Sequence, residues 1–355
     1  MAVEGDVVRV GLIGYGFVGK TFHAPMIVAT PGLDLAAVAS SRADDVHADH
    51  PDVDVVDTET LLARDDLDLV VIASPNDTHR PLAEAALTSG HHVVVDKPFM
   101  VSLEDARAVV AAAARHERIV SVFQNRRWDS DFLGVRQVID DGLIGDVAHF
   151  ESHIDRFRPT PRDRWRENPG PGAGLWFDLG PHMIDQALVL FGLPDTVTAD
   201  FGYLRPGSQT EDWAHVILDY PHRRVIVHGS LLVAGAHTRF VVHGTQGSVV
   251  KRGSDLQEAR LKDGVAPGSP GWGDDPDDLI LYDADGASST MPTPPGDQLQ
   301  YYRLLQRAIA LGDPNPVPPH QALGVMAVIE AAVTSARTGR RTELALTADE
   351  RALWS

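Results

Sequence analysis

Short apolar runs recur along the first third of the chain, separated by stretches with a different period. Residues 7–13, 33–39, 53–56, 67–73, 92–95 and 119–123 are rich in Val, Ile and Leu and are bounded by turn residues, which predicts short buried strands. Between them the spacing is helical. Residues 78–89 repeat apolar positions at Leu82, Ala85 and Ala86 and stop at Gly90, a residue suited to the left-handed position after a helix. Ser102-Leu103-Glu104-Asp105 opens an alanine-rich helix through Arg115, with Asp105 where a capping box usually has Glu. Alternating strands and helices predict an α/β, doubly wound parallel sheet with right-handed crossovers. Such sheets bind ligands beyond the carboxyl ends of their strands.

The rhythm changes after Asp129. A helix is expected over 130–141, then longer alternating segments at 147–155, 196–203, 215–220, 224–232 and 238–243, the pattern of half-buried antiparallel strands. Helices over 176–191, 298–311 and 321–337 complete the set. Residues 262–297 are full of Pro, Gly and Asp and are expected to form a long surface excursion, with Asp274, Asp275, Asp277 and Asp278 in solvent. With 355 residues and 43% hydrophobic content, two domains are expected. They divide at 1–125 and 126–355, with a return of a C-terminal helix to the first.

Charge and composition narrow the partners. The 31 basic and 50 acidic residues give a formal charge of -19, which repels nucleic acid and anionic membranes. Zero cysteines exclude disulfides and thiolate chemistry and fit a reducing cytoplasm. The acidic start of the chain leads directly into a strand and has no signal-peptide pattern. No apolar run approaches the ~20 residues of a membrane span.

The chemistry begins at the end of the first strand, where Gly14-Tyr15-Gly16-Phe17-Val18-Gly19 leads into a helix. Strand, G-x-G-x-x-G, helix is the pattern of a dinucleotide-binding turn. Gly14 allows the tight turn, Gly16 lets the backbone approach a pyrophosphate, and Gly19 permits close helix packing. After the second strand stand Ser40-Ser41-Arg42. No carboxylate is present to hold a ribose 2′-hydroxyl, whereas two hydroxyls and a guanidinium suit a 2′-phosphate, which predicts NADP(H) over NAD(H). Ser41 as a plain helix cap is the alternative. The fourth strand runs into Ser74-Pro75-Asn76, whose Asn76 can cap a helix or touch the cofactor ribose. The fifth ends in Asp96-Lys97-Pro98, placing an ammonium where it polarises a hydroxyl or carbonyl. Later, Asp178, His182 and Asp185 recur at helical spacing, so a carboxylate can orient an imidazole. Gly180 and Pro181 predict an irregular first turn there. The sixteen histidines show no paired ligand spacing, so no metal is expected.

Gly14–Gly19, Ser74-Pro75-Asn76 with His79, Asp96-Lys97-Pro98 and Asp178…His182…Asp185 together resemble the Gfo/Idh/MocA oxidoreductase family over nearly the whole chain. Phe22-His23-Ala24-Pro25, Asn125-Arg126-Arg127-Trp128-Asp129, Arg164-Trp165-Arg166-Glu167 and Ile184-Asp185-Gln186 are similar to the branch of NADP-dependent scyllo-inositol dehydrogenases. The resemblance implies an N-terminal Rossmann domain and a C-terminal α/β domain with an open, mainly antiparallel sheet that often forms a homo-oligomer, a dimer or tetramer. It assigns catalysis to Lys97, Asp178 and His182. Cofactor contacts would come from the glycine turn, Ser40–Arg42, Ser74, Pro75, Asn76, His79, Asp96, Lys97, Asn125, Trp165 and Arg166, and substrate contacts from Lys97, Asn125, Arg126, Asp178 and His182. The implied substrate is a small polyol or sugar, with scyllo-inositol first. An aldose, a nucleotide sugar held by Arg156, Arg158, Arg162 and Arg164, a dihydrodiol, or a non-catalytic ligand sensor are the alternatives. Asp96 stands where the family more often has Glu, and Pro181 where a small polar residue is common.

Overall fold

The computed structural model describes residues 6–236 and 238–354. The chain forms two compact units. The first holds the stretch up to Asn125 together with Gln257–Trp272 and Asp297–Ala322; the second holds Arg126–Leu256, Gly273–Gly296 and the stretch from Leu323. The chain therefore returns to its first unit twice.

The first unit is built on a six-stranded, all-parallel sheet of β1 (Val8–Ile13), β2 (Leu33–Ala39), β3 (Asp54–Val56), β4 (Leu69–Ile72), β5 (His92–Val95) and β6 (Val120–Val122), in the order β3-β2-β1-β4-β5-β6. The strands are nearly continuous apolar runs because both faces are covered, and Val10, Leu12, Leu69, Val71 and Val94 are fully buried. The order reverses between β1 and β4, and a crevice opens beyond the carboxyl ends of strands at such a switch point. Ser102 caps the helix Leu103–Arg115 by accepting the Asp105 N–H at 3.0 Å, as its sequence pattern predicts.

The second unit carries a nine-stranded mixed sheet in the order β14-β13-β12-β11-β7-β10-β9-β8-β15. Its strands are β7 (Val147–Asp155), β8 (Thr196–Gly202), β9 (Trp213–Asp219), β10 (Arg224–Ser230), β11 (Phe240–Gly244), β12 (Gly247–Lys251), β13 (Leu279–Asp283), β14 (Ser288–Met291) and β15 (Thr342–Glu343). Only the β7–β10 pair is parallel. Burial alternates along β9 and β10, with Ala214, Val216, Val225 and Val227 at 0% exposure, while the residues between them are half-buried. The buried positions face the helix Leu175–Phe191, which packs on β7, β9 and β10. The opposite face is open.

Residues 262–297 depart from the sequence reading. They are not one surface excursion: Leu279–Asp283 and Ser288–Met291 form a hairpin that extends the sheet edge. Its turn is closed by the Asp283 carboxylate, which accepts the N–H groups of Asp285 and Ala287 at 3.0 and 2.9 Å, with Gly286 at φ +80°. The acidic cluster is not uniformly solvated either. The Lys251 ammonium, at 0% exposure, donates to Asp277 Oδ2 at 2.8 Å and to Asp275 at 3.2 Å, so half the cluster neutralises a buried cation. Asp274 and Asp278 are exposed.

Candidate active site

In the first unit the glycine turn leaves β1 and wraps back over the sheet. Gly14 has φ +98°, and a Cβ there would lie 2.7 Å from the Ala73 carbonyl oxygen. A Cβ on Gly19 would fall 2.0 Å from the Gly14 carbonyl oxygen, so helix Gly19–His23, which continues as Ala24–Val28, can approach the turn only without a side chain. Gly16 has no atom within 4 Å of its Cβ position. It faces a cleft of ≈ 1070 Å³ lined by Gly14, Gly16, Ser40, Arg42, Asp57 and Ser74 among others. A turn that is crowded at Gly14 and Gly19 and open at Gly16 fits a pyrophosphate lying on the Gly16 backbone.

The residues after β2 complete this wall. Ser40 Oγ accepts the Arg42 N–H at 3.0 Å. No side chain caps the helix Ala43–Asp49, so Ser41 is not its cap. The Arg42 guanidinium is exposed and has no hydrogen bond or ion pair among the described residues. An unpartnered cation and two hydroxyls on the cleft wall, with no carboxylate at Ser40, can accept a phosphate.

Across the switch point, Ser74 lines the same cleft, while Asn76 is buried in the turn Asn76–Thr78. His79 is fully buried and does not line the cleft. Its Nδ1 meets the carbonyl oxygens of Pro98 and Phe99 at 3.1 and 3.2 Å and its Nε2 that of Ser74 at 3.1 Å, which ties the loop after β4 to the segment after β5. Asp96 is likewise an anchor, 6% exposed and 3.6 Å from His23 Nε2, whose Nδ1 meets the Tyr302 hydroxyl at 2.6 Å. Burial pushes the Asp96 carboxyl up, but His23 and the neighbouring Lys97 charge hold it below the usual carboxylate range. Lys97 itself is half-buried, at a cis peptide bond to Pro98. Asn125 is buried and donates to Gln298 Oε1 at 3.1 Å. Phe17 is 60% exposed and stands edge-on to Phe22, and Val18 is half-buried.

In the second unit the candidate residues ride on the helix Leu175–Phe191. Gly174 enters it at φ +95°, where a Cβ would lie 2.0 Å from the Glu211 carboxyl. Glu211 receives the first helical N–H groups, Leu175 at its carbonyl (3.1 Å) and Trp176 at Oε1 (3.1 Å). A Cβ on Gly180 would meet the Trp176 ring at 2.8 Å. The helix runs unbroken through Pro181, so the expected irregular turn does not form and Asp178 and His182 lie one turn apart. Asp178 is flanked by Arg166 Nε at 3.6 Å and Arg156 Nη1 at 3.9 Å, and His182 is 7% exposed. Asp185 accepts from Nε and Nη2 of Arg127, at 2.8 and 2.6 Å, and Asp129 from Arg126 at 2.9 Å. The Arg166 guanidinium lies over the Trp165 ring, 4.4 Å from its centre. Arg158 is pushed down to about 10 by burial and by Arg156, Arg162 and Arg164. The space enclosed by Arg156, Arg158, Arg164 and Arg166 is only ≈ 10 Å³, room for one water and not for a diphosphate.

Residues 8–124 match the family described as an oxidoreductase family with an NAD-binding Rossmann fold, and residues 136–344 match its C-terminal alpha/beta domain. The chain belongs to the Gfo/Idh/MocA oxidoreductase family. Among relatives of this Gfo/Idh/MocA protein, the uncharacterized oxidoreductase YdgJ of Escherichia coli K12 is 52% identical, with 94% of this chain and 97% of that protein covered. The scyllo-inositol 2-dehydrogenase (NADP(+)) IolW of Bacillus subtilis 168 is 33% identical over 94% and 95%. A crystal structure of a Klebsiella pneumoniae protein, 54% identical, superposes with a TM-score of 0.93 over 98% of each chain. The doubly wound N-terminal sheet and the mixed, mainly antiparallel C-terminal sheet are thus the family's two domains. No helix among the described residues is long and apolar enough to cross a membrane.

One cluster in this Gfo/Idh/MocA chain escaped the sequence reading, which found no metal-ligand spacing. Strands β7 and β10 bring His153, Asp155 and His228 together with one ligand atom from each within 4.8 Å of the others. The signal in the sequence was the alternation His153-x-Asp155, which puts both on one face of a strand; nothing local points to His228.

Proposed function

We propose that the protein is an NADP(H)-dependent dehydrogenase acting on a secondary alcohol of a cyclic polyol or sugar, scyllo-inositol and its 2-ketone first. The observation that carries the cofactor choice is the Arg42 guanidinium, unpartnered among the described residues, beside Ser40 and Ser41 at the end of β2, where no carboxylate stands. The substrate choice draws on the 33% identical relative named for that reaction. A bound nicotinamide dinucleotide supplies the hydride donor or acceptor. In the oxidative direction His182 takes the hydroxyl proton. Lys97, with the Asp96 charge beside it, stabilises negative charge that develops on a substrate oxygen. Asp178, flanked by Arg156 and Arg166, orients His182 or a neighbouring substrate hydroxyl.

The test is NADP⁺ reduction, followed by the absorbance of the reduced cofactor, against a panel of inositols and aldoses. Lys97→Ala and His182→Ala should each lower kcat by ~10²–10⁴-fold. Turnover within a few-fold of wild type in either variant removes that residue from the mechanism. If no alcohol in the panel reduces NADP⁺, the ligand-sensor alternative stands instead.

A further inference from the structure

The open face of the second sheet carries side chains that the dehydrogenase reading does not use. His149, Glu151, His153 and Asp155 alternate along β7 and so share one side of the sheet. Parallel pairing sets His228 of β10 opposite His153, and antiparallel pairing sets His215 of β9 opposite His228. His153 Nδ1 lies 3.8 Å from Asp155 Oδ2, and His228 Nε2 lies 3.7 Å from Asp155 Oδ1. Ligands at the zinc–nitrogen distance of ~2.0–2.1 Å stand about 3.3 Å apart around a tetrahedral ion. One ligand atom from each of the three lies within 4.8 Å of the others, so metal binding draws them together by up to about 1.5 Å through side-chain rotation. The three side chains are 23%, 6% and 14% exposed.

The outer shell is also in place. Glu151 Oε2 lies 2.8 Å from His153 Nε2, and Glu151 Oε1 lies 2.7 Å from His149 Nε2. A carboxylate accepts, so His153 carries its proton on Nε2 and turns the Nδ1 lone pair toward Asp155 and His228. Metal-binding histidines are oriented by this kind of carboxylate partner on the opposite ring nitrogen. We propose that His153, Asp155 and His228 bind one divalent transition-metal cation, with zinc favoured by the two-imidazole, one-carboxylate donor set, and that the ion cross-links β7 to β10. A fourth position remains for water. The site lies in the second unit and is independent of the dehydrogenase reading.

The full-length protein, stripped with a chelator and dialysed, would be titrated with zinc chloride by calorimetry and assayed for metal content after gel filtration. One equivalent per chain is expected, with a rise in melting temperature on zinc addition. Asp155→Asn and His228→Gln should each weaken binding by more than ~10-fold, and Glu151→Gln by ~10–100-fold. His243→Gln, on β11 of the same sheet with its ring 5.6 Å from His149, should leave binding unchanged. Each variant's circular-dichroism melt without metal shows that it is folded. If one variant fails to fold, the other two carry the test. Wild type that retains no stoichiometric zinc, or variants at Asp155 and His228 that bind as tightly as wild type, overturn the proposal.

Discussion

Arg42→Ala tests the cofactor reading at its most exposed point. The Arg42 guanidinium has no partner among the described residues, so removing it breaks no internal ion pair and leaves the helix Ala43–Asp49 without any lost cap. The Ser40 Oγ bond to the residue 42 N–H at 3.0 Å is retained, because it is made to the backbone. Any change in binding therefore reports contact with the ligand. A hydrogen bond to a charged group contributes about 1.5–3 kcal/mol, and an exposed site in salt falls at the lower end. The expected loss is roughly tenfold in NADP⁺ affinity, with NAD⁺ affinity unchanged. Fluorescence titration of both cofactors at two ionic strengths reads this directly. The wild-type preference for NADP⁺ should shrink as salt screens the phosphate contact, and the variant should show little salt dependence. Ser40→Asp is the complementary change, since a carboxylate at the end of β2 repels a 2′-phosphate and accepts from a 2′-hydroxyl. An NADP⁺ affinity within twofold of wild type in Arg42→Ala, or an equal loss for NAD⁺, refutes the reasoning.

Two further outcomes follow from buried charge. Lys251→Met leaves Asp275, whose side chain is 2% exposed, without its cation; removing one partner of a buried pair costs ~3–5 kcal/mol. The Ser130 hydroxyl at 2.7 Å and the Asp277 N–H at 3.0 Å still reach Asp275, so the lower end is expected. At ~2–4 °C per kcal/mol that is a drop of about 6–12 °C in melting temperature, and Asp275→Asn added to it should recover most of the loss. An unchanged melt would mean the pair contributes nothing. Glu211, at the start of the helix Leu175–Phe191, is raised above its ordinary 4.5 by burial. The folded state then binds its proton more tightly than the unfolded chain, so stability present in acid is lost as pH rises through the folded value. Melting temperatures from pH 4 to 8 should decline less for Glu211→Gln than for wild type, and parallel curves would defeat the assignment.

The parts of the site that the sequence made legible are those encoded locally. A strand, a glycine turn and a helix follow one another within β1 to Val28, so the crowding at Gly14 and Gly19 and the opening at Gly16 are written in consecutive residues. Asp178 and His182 were legible for the same reason, since helical spacing fixes their shared face wherever the helix packs. His79 was misjudged in role and not in place. It follows the turn after β4, but its ring is claimed by backbone carbonyls of Pro98 and Phe99, about twenty residues on. Arg126 and Asp185 read as site residues by motif or spacing, and both are engaged by charged neighbours, Asp129 and Arg127.

Register between distant strands is what sequence spacing cannot supply, and the 262–297 segment and the His153–Asp155–His228 cluster both depend on it. A run of Pro, Gly and Asp has loop composition, and composition holds no record that Leu279–Asp283 pairs with β12 and so brings Asp275 and Asp277 to Lys251. A lysine at the end of an unrecognised strand looks exposed until its neighbours arrive. The same holds on the open face: His153 and Asp155 share a side by alternation alone, yet three ligand atoms meet only because β10 pairs with β7 in parallel and sets His228 opposite His153. A register slip of one residue would send His228 to the helix-covered face, where Val225 and Val227 now lie, and bury an imidazole among apolar side chains. The hydrophobic alternation of β10 therefore excludes that slip. The apolar pattern that builds the core is also what fixes the cation-binding geometry on the other side.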